Sequence, residues 1–127
     1  MADPFKSPMK VLVVEDDPGT RSAIGKLLRR AGATVITAGD GGEGLQYLLE
    51  ERFDVLLTDL HMPHATMDGF ALIEQTHKLP LSNRPKRVVA ISGEYNRGVL
   101  RHEAAVDFFP KPVDLNQLLD TIGGRAH

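Results

Sequence analysis

The sequence predicts an α/β domain built on a parallel five-stranded sheet. Short apolar runs bounded by turn residues alternate along the chain with segments whose apolar residues have helical spacing. This alternation of strands and helices is typical of parallel sheets. The run Val55 to Leu57 is apolar throughout, as in a strand that is buried on both faces. Five such units within 127 residues indicate one doubly wound domain.

The first helix has clear start and stop signals. Asp17 is suited to be its N-cap, Pro18 to lie in its first turn, and Gly32 to end it. A glycine-rich turn over residues 39–42 should precede the second helix. Asp114 should cap the last helix, with Gln117 as its capping-box partner. The strands are predicted over residues 10–14, 34–38, 55–57, 87–91 and 106–109.

Helical periodicity also predicts which side chains face the sheet. The residues expected to be buried are Ile24, Leu27, Leu28 and Ala31 in the first helix, Leu45, Leu48 and Leu49 in the second, Leu72, Ile73, Thr76 and Leu79 in the third, and Leu115, Leu118, Leu119 and Ile122 in the last. About five helices are expected in all. The fourth, between Glu94 and Ala104, contains Asn96, Gly98 and few apolar residues, so it should be short or irregular.

Composition excludes several classes of protein. The 15 Lys and Arg against 17 Asp and Glu give a net charge of −2, which provides no basic surface for nucleic acid or an anionic membrane. No apolar run approaches the ~20 residues that span a bilayer, and residues 1–8 lack the apolar core of a signal peptide. The absence of cysteine excludes thiolate metal sites. We expect a cytoplasmic domain over residues 9–123, with flexible tails at 1–8 and 124–127.

Reactive side chains follow four of the five predicted strands. They are Glu15, Asp16 and Asp17 after the first strand, Asp59 after the third, Ser92 after the fourth and Lys111 after the fifth. Right-handed crossovers place all these strand ends at one edge of the sheet. If the strand order is 2-1-3-4-5, the first and third strands are neighbours, and their carboxylates meet where ligands bind in open α/β sheets.

Carboxylates gathered in this way repel one another. Two unit charges ~4 Å apart repel by about 4 kcal/mol at an effective dielectric of 20, so such groups raise their pKa values or bind a cation. Oxygen ligands alone favour Mg²⁺ or Mn²⁺. The ammonium of Lys111 and the hydroxyl of Ser92 would then suit a phosphoryl group arriving on a carboxylate. The pattern leaves open whether Glu15 or Asp17 joins Asp16 in the metal site.

Together these motifs resemble the receiver domain of two-component response regulators. The resemblance extends from Lys10 to about Ile122, and any one motif alone would be weak evidence for it. It implies a flavodoxin-like, CheY-like fold with the strand order 2-1-3-4-5. The motifs are Val-Val-Glu-Asp-Asp-Pro (13–18), Asp-Leu-His-Met-Pro (59–63), Met-Asp-Gly (67–69), Ser92 and Phe-Phe-Pro-Lys-Pro (108–112).

The resemblance implies that Asp59 accepts a phosphoryl group from a histidine kinase or a histidine phosphotransfer protein. Glu15, Asp16 and Asp59 would bind Mg²⁺, with the backbone carbonyl of His61 as a further ligand. Ser92 and Lys111 would bind the phosphoryl group, and the Lys111–Pro112 bond is usually cis in this family. Phe108 would be the aromatic residue that turns inward once Ser92 has moved.

His61 and Glu94 follow Asp59 and Ser92 by two residues, where receiver side chains flank the leaving phosphoryl group. We therefore hypothesise that these two residues tune the hydrolysis of phosphorylated Asp59. The sequence departs from the family in two places. The loop between Pro63 and Gly69 is a couple of residues longer than usual, and the segment between Ser92 and Lys111 is a few residues shorter.

Three other interpretations remain at this point. The first is a Mg²⁺-dependent phosphatase that forms an aspartyl phosphate. Such enzymes usually have a second acid two residues after the nucleophile, where this chain has His61. The second is a pseudo-receiver that acts by binding alone. The third is a receiver that belongs to a longer regulator or a hybrid kinase. The sequence does not identify the kinase or the downstream partner.

Overall fold

A computed structural model describes residues 9–93 and 106–123, which form a five-stranded parallel sheet with helices packed against it. The strand order is β2-β1-β3-β4-β5, and all four strand pairs are parallel. The predicted flavodoxin-like fold and its strand order 2-1-3-4-5 are therefore confirmed. The strands are β1 Lys10–Val14, β2 Thr34–Ala38, β3 Val55–Asp59, β4 Arg87–Ser92 and β5 Val106–Pro110.

Four α-helices lie within the described residues: α1 Pro18–Arg30, α2 Gly41–Glu50, α3 Gly69–Thr76 and α4 Leu115–Ile122. A 3₁₀ turn, Leu81–Asn83, precedes β4. The short or irregular helix expected between Glu94 and Ala104 lies outside the described residues, as do the expected tails at 1–8 and 124–127. Among the helices that are described, none is long and apolar enough to cross a membrane.

Side-chain caps set the helix starts. Asp17 caps α1 as predicted, since its Oδ2 accepts a hydrogen bond of 2.8 Å from the backbone N–H of Thr20. Gly32, with φ 102°, follows the end of the same helix. Asp114 caps α4 by accepting from the N–H of Gln117 at 3.1 Å. These contacts satisfy donors that the first helical turn would otherwise leave unpaired.

The start of α2 corrects the prediction of a turn over residues 39–42. The helix already begins at Gly41. Asp40 accepts a hydrogen bond of 2.8 Å from the N–H of Glu43, and the Glu43 carboxylate accepts one of 2.7 Å from the N–H of Gly39. The first contact is a side-chain N-cap, and the second ties the residue before the cap to the first turn. Together they offset the low helix propensity of the two glycines that follow.

Each face of the sheet has its own apolar core. On one face, residues such as Leu12 and Leu56 pack against α2 and α3, which contribute Leu48 and Leu72. On the other face, residues such as Val11 and Leu57 pack against α1 and α4. All five residues of β3 are buried, as expected for the central strand of a sheet covered on both sides.

Two of the expected core leucines are exposed instead. Leu49 is 54% exposed because α2 turns Gly44 and Leu48 towards the sheet. Leu115 is 48% exposed because, as the first residue of α4, it lines an open cavity. The third helix is shorter than expected and ends at Thr76, although Leu79 beyond it is still buried.

Candidate functional site

Strand pairing brings three acids together at the carboxyl edge of the sheet. β1 and β3 are neighbours, with Val14 opposite Thr58, so Glu15 and Asp59 come next to each other. Carboxylate oxygens of Glu15, Asp16 and Asp59 all lie within 4.8 Å of one another. Glu15 is only 2% exposed and Asp59 4%, whereas Asp16 is half-buried. This arrangement concentrates negative charge where little solvent is available to screen it.

The surroundings of Asp17 differ from those of these three acids. Its carboxylate caps α1, and the hydrogen bonds from the backbone and side chain of Thr20 hold the pKa of Asp17 below its ordinary value. Its backbone N–H donates to Oε2 of Glu15 at 3.1 Å. The geometry therefore groups Glu15 with Asp16 and leaves Asp17 as a helix cap.

Lys111 supplies the positive charge of the site. Its Nζ lies 2.8 Å from Oδ2 of Asp59 and 3.7 Å from Oε1 of Glu15. Burial favours the neutral amine, but the hydrogen bond and charge of Asp59, together with Glu15, raise the pKa of Lys111 above its ordinary value. The Lys111–Pro112 peptide bond is cis, as the family resemblance implied. One ammonium thus contacts both buried carboxylates.

The ionisation of Glu15 reflects the same crowding. Burial raises the pKa of Glu15 to about 7, and the charge of Asp59 adds to this effect. The N–H of Asp17 and the charge of Lys111 act in the opposite direction without cancelling it. Glu15 and Asp59 share the ammonium of Lys111, and the carboxylate of Asp16 lies beside them. This donor set of oxygens alone fits Mg²⁺ or Mn²⁺, because hard cations prefer carboxylate ligands.

The loop after β3 is packed tightly around Asp59. The backbone N–H of His61 donates to Oδ1 of Asp59 at 3.2 Å. The exposed ring of His61 packs edge-on against Phe70, with 5.4 Å between centroids. A Cβ on Gly69 would lie 1.9 Å from the carbonyl oxygen of Asp59, so no side chain fits at this position. The loop between Pro63 and Gly69 contacts α2, where the N–H of Gly41 donates to the carbonyl of Met67 at 2.9 Å.

Ser92 and Phe108 lie on the neighbouring strands. Ser92 ends β4, is buried, and accepts a hydrogen bond of 3.0 Å at its carbonyl oxygen from the N–H of Lys111. Phe108 is half-buried on β5, opposite Ala90, and packs against the core on the α2–α3 face. Glu94, the second residue expected to tune hydrolysis, lies outside the described residues.

Sequence reasoning missed Arg21. Its Nη1 donates to the backbone carbonyl of Glu15 at 2.9 Å, although Arg21 is six residues further along the chain. A cation in the opening turns of a helix that follows an acidic strand end is the signal that could have singled it out. The role of Gly69 was visible only as part of the Met-Asp-Gly motif, because its contact with Asp59 depends on the folded loop.

A cavity of about 340 Å³ opens beside the acids. Glu15, Ile91 and Lys111 are among the residues that line it. The start of α4 and one side of α1 form its apolar walls, with Leu115 at the helix start.

Comparison with known proteins defines the family. The sequence model of the response regulator receiver domain matches residues 11–123, so the chain belongs to that family. The transcriptional regulatory protein GlrR of Escherichia coli K12 is 34% identical over 116 residues, which are 91% of this chain and 26% of that protein. An uncharacterized 14.6 kDa protein of Leptolyngbya boryana is 34% identical over 113 residues, which are 87% of this chain and 85% of that protein.

Solved structures agree with this assignment. A response regulator receiver protein from Pseudomonas putida superposes with a TM-score of 0.81 and 27% identity, covering 94% of this chain and 98% of that one. Chemotaxis response regulator CheY4 of Vibrio cholerae gives a TM-score of 0.79 and 28% identity, covering 91% and 97%. The chain spans about a quarter of the length of GlrR. Receiver domains in general are signalling domains that bind Mg²⁺ and interact with histidine kinases or phosphotransfer proteins.

Proposed function

We propose that this chain is a phosphorylation-controlled signalling switch whose phosphoacceptor is Asp59. The observation that carries the proposal is the contact of 2.8 Å between Nζ of Lys111 and the buried carboxylate of Asp59, with Glu15 and Asp16 beside it. A buried carboxylate that is held by an ammonium and flanked by two more acids is a poor structural ion pair. It is well placed to receive a phosphoryl group.

The donor in this proposal is a phosphohistidine of a sensor kinase or a phosphotransfer protein. One carboxylate oxygen of Asp59 attacks the phosphorus as the bond between phosphorus and the imidazole nitrogen breaks, and the electron pair leaves with that nitrogen. Lys111 can transfer its contact from Asp59 to a phosphoryl oxygen with little movement. Such a reaction depends mainly on positioning and charge neutralisation, which these residues can supply.

Glu15, Asp16 and Asp59 would hold the Mg²⁺ that receiver domains generally bind, with the backbone carbonyl of His61 as a further ligand and Mn²⁺ as a substitute. When bound, the metal supplies positive charge for the oxygens of the phosphoryl group. The proximity of the three carboxylates, within 4.8 Å, supports this assignment. The raised pKa of Glu15 also supports it, because burial and the charge of Asp59 disfavour the ionised carboxylate, and a bound cation would stabilise that form.

Ser92 and Phe108 would transmit the signal. Ser92 lies two residues beyond Ala90, the residue opposite Phe108, so the two side chains are on the same face of adjacent strands. Movement of Ser92 towards a phosphoryl group would free space beside Phe108. Because Phe108 is half-buried, an inward turn would bury more of its ring.

The position two residues after Asp59 argues for a switch in preference to a phosphatase. A phosphatase of the aspartyl-phosphate type would place an acid there, whereas this chain has the exposed ring of His61. We propose that His61, with Glu94, tunes the lifetime of the phosphorylated state. An unchanged dephosphorylation rate in His61→Asn would count against this role. The downstream partner is a protein that reads the switched surface of a cytoplasmic receiver domain over residues 9–123.

Intact-mass analysis after incubation with acetyl phosphate tests the proposal. Wild-type protein should gain one alkali-labile phosphoryl group only when Mg²⁺ is present, and Asp59→Asn should gain none. Asp17→Asn is the matched control, because Asn caps a helix as well as Asp does and Asp17 lies outside the cluster of three acids. A phosphoryl adduct on Asp59→Asn would place the acceptor on a residue other than Asp59. The absence of the adduct from Asp17→Asn would likewise count against Asp59 as the acceptor.

A further inference from the structure

The side chain of Arg21 connects three segments around the acidic cluster. Arg21 belongs to α1, and its Nη1 donates to the carbonyl oxygen of Glu15 at 2.9 Å. The same guanidinium lies against Gly39, where an added Cβ would be 3.2 Å from Nη1. Arg21 thus joins α1 to the end of β1 and to the turn before α2.

The carbonyl that Arg21 holds belongs to the peptide group joining Glu15 to Asp16. The other peptide group of Glu15 is also fixed, because its N–H donates to the carbonyl of Ala38 at 3.1 Å. The Glu15 side chain is held in turn by the N–H of Asp17 at Oε2. Asp16 lies between the end of β1 and the start of α1. The direction of the Asp16 side chain therefore depends on the plane of the Glu15–Asp16 peptide group, which Arg21 fixes.

We infer that Arg21 is a positioning residue that sets the direction of the Glu15 and Asp16 carboxylates for Mg²⁺. This inference rests on the proposed metal site. Arg21 acts on the site through a backbone carbonyl, and groups that orient metal ligands in this way typically change metal affinity by 10- to 100-fold when they are removed.

The sign of the effect separates positioning from simple charge. Arg21 is a cation close to a site that binds a cation. If its charge were its main contribution, removing it would tighten Mg²⁺ binding. If it orients the carboxylates, removing it weakens Mg²⁺ binding instead. Because the described contact of Arg21 is with a carbonyl, not with a carboxylate, orientation should dominate.

The test is Mg²⁺ titration by calorimetry of wild type, Arg21→Met, Arg21→Lys and the control Arg29→Met. Arg29 lies on the same helix and makes the same kind of contact, from Nη2 to the carbonyl of Val35 at 3.1 Å, away from the acids. Arg21→Met should bind Mg²⁺ about tenfold more weakly. Arg21→Lys should lie between it and wild type, and Arg29→Met should match wild type even if both Met variants unfold at a lower temperature.

Phosphorylation by acetyl phosphate provides a second readout. At saturating Mg²⁺, the rate of Arg21→Met should return to that of wild type, because only the occupancy of the metal site is impaired. Unchanged or tighter Mg²⁺ binding by Arg21→Met overturns the inference, as does equal weakening in Arg29→Met. If Arg21→Met does not fold, Arg21→Lys replaces it: an Mg²⁺ affinity equal to that of wild type in Arg21→Lys would also overturn the inference. Failure of wild type to bind Mg²⁺ would instead overturn the proposed metal site, and this inference with it.

Discussion

Lowering the pH should weaken Mg²⁺ binding through the protonation of Glu15. Burial, with the charge of Asp59, raises the pKa of Glu15 to about 7 in the metal-free protein. Mg²⁺ binds the deprotonated carboxylate, so protons compete with the metal below that pKa. The apparent dissociation constant is the intrinsic one multiplied by one plus the ratio of protonated to deprotonated Glu15. Between pH 8 and pH 6 it should therefore increase about tenfold.

Titration calorimetry can measure both the affinity and the proton release. Repeating the titration in buffers that differ in ionisation enthalpy gives the number of protons released for each Mg²⁺ bound. Near pH 7 this number should be about one half, since Glu15 is then about half protonated. The number of protons released for each Mg²⁺ should fall towards zero at pH 8, because Glu15 with a pKa of about 7 is then almost fully deprotonated.

Two variants assign the effect to Glu15. Glu15→Gln should bind Mg²⁺ more weakly but with nearly the same affinity at pH 6 and pH 8. His61→Asn, the control in the loop whose backbone N–H contacts Asp59, should keep the full pH dependence. Equal wild-type affinity at the two pH values would refute the reasoning, as would full pH dependence in Glu15→Gln.

Three further predictions concern the same site. Gly69→Ala should destabilise the protein by about 1–3 kcal/mol in chemical denaturation, because its Cβ would meet the carbonyl of Asp59. The control Gly93→Ala should not, because a Cβ there meets nothing within 4 Å. Equal losses of stability in the two variants would contradict this prediction. Lys111→Met should tighten Mg²⁺ binding, since a competing cation is gone, yet slow phosphorylation by acetyl phosphate on the order of a hundredfold. Weaker Mg²⁺ binding in Lys111→Met would be inconsistent with the account. Without Mg²⁺, Glu15 keeps its proton up to about pH 7 in the folded protein but loses it near pH 4.5 in the unfolded chain. The free energy of unfolding should therefore fall by at most about 3 kcal/mol as the pH rises between these values. Thermal unfolding across this range should show the decrease in wild type and not in Glu15→Gln.

The strands and the edge that carries the site were predictable because both follow from local patterns. Apolar runs define the strands, and right-handed crossovers bring their carboxyl ends to one edge. The start of α2 was not predictable from its glycines, because the N-cap of Asp40 and the contact of Glu43 with the N–H of Gly39 outweigh their low helix propensity. Helical periodicity also misplaced Leu115, since it does not reveal that the first residue of a helix lines an open cavity.

For the candidate site, the sequence predicted that these groups gather at one edge of the sheet but not how they are held. Apolar and acidic patterning alone could not decide whether Glu15 or Asp17 would join Asp16 in the metal site. The structure separates them, because Asp17 caps α1 while Glu15 is buried beside Asp59. The sequence places Arg21 in the opening turns of the helix after the acids, but its contact with the carbonyl of Glu15 depends on how α1 packs beside β1.

Locating the phosphoryl group on the chain tests the central claim most directly. Borohydride reduces an acyl phosphate to an alcohol, which turns a phosphorylated aspartate into homoserine. After treatment with acetyl phosphate and Mg²⁺, peptide mapping should find homoserine at position 59 and at no other aspartate. Homoserine at a different position, or phosphorylated protein that yields none, would contradict the assignment of Asp59 as the phosphoacceptor.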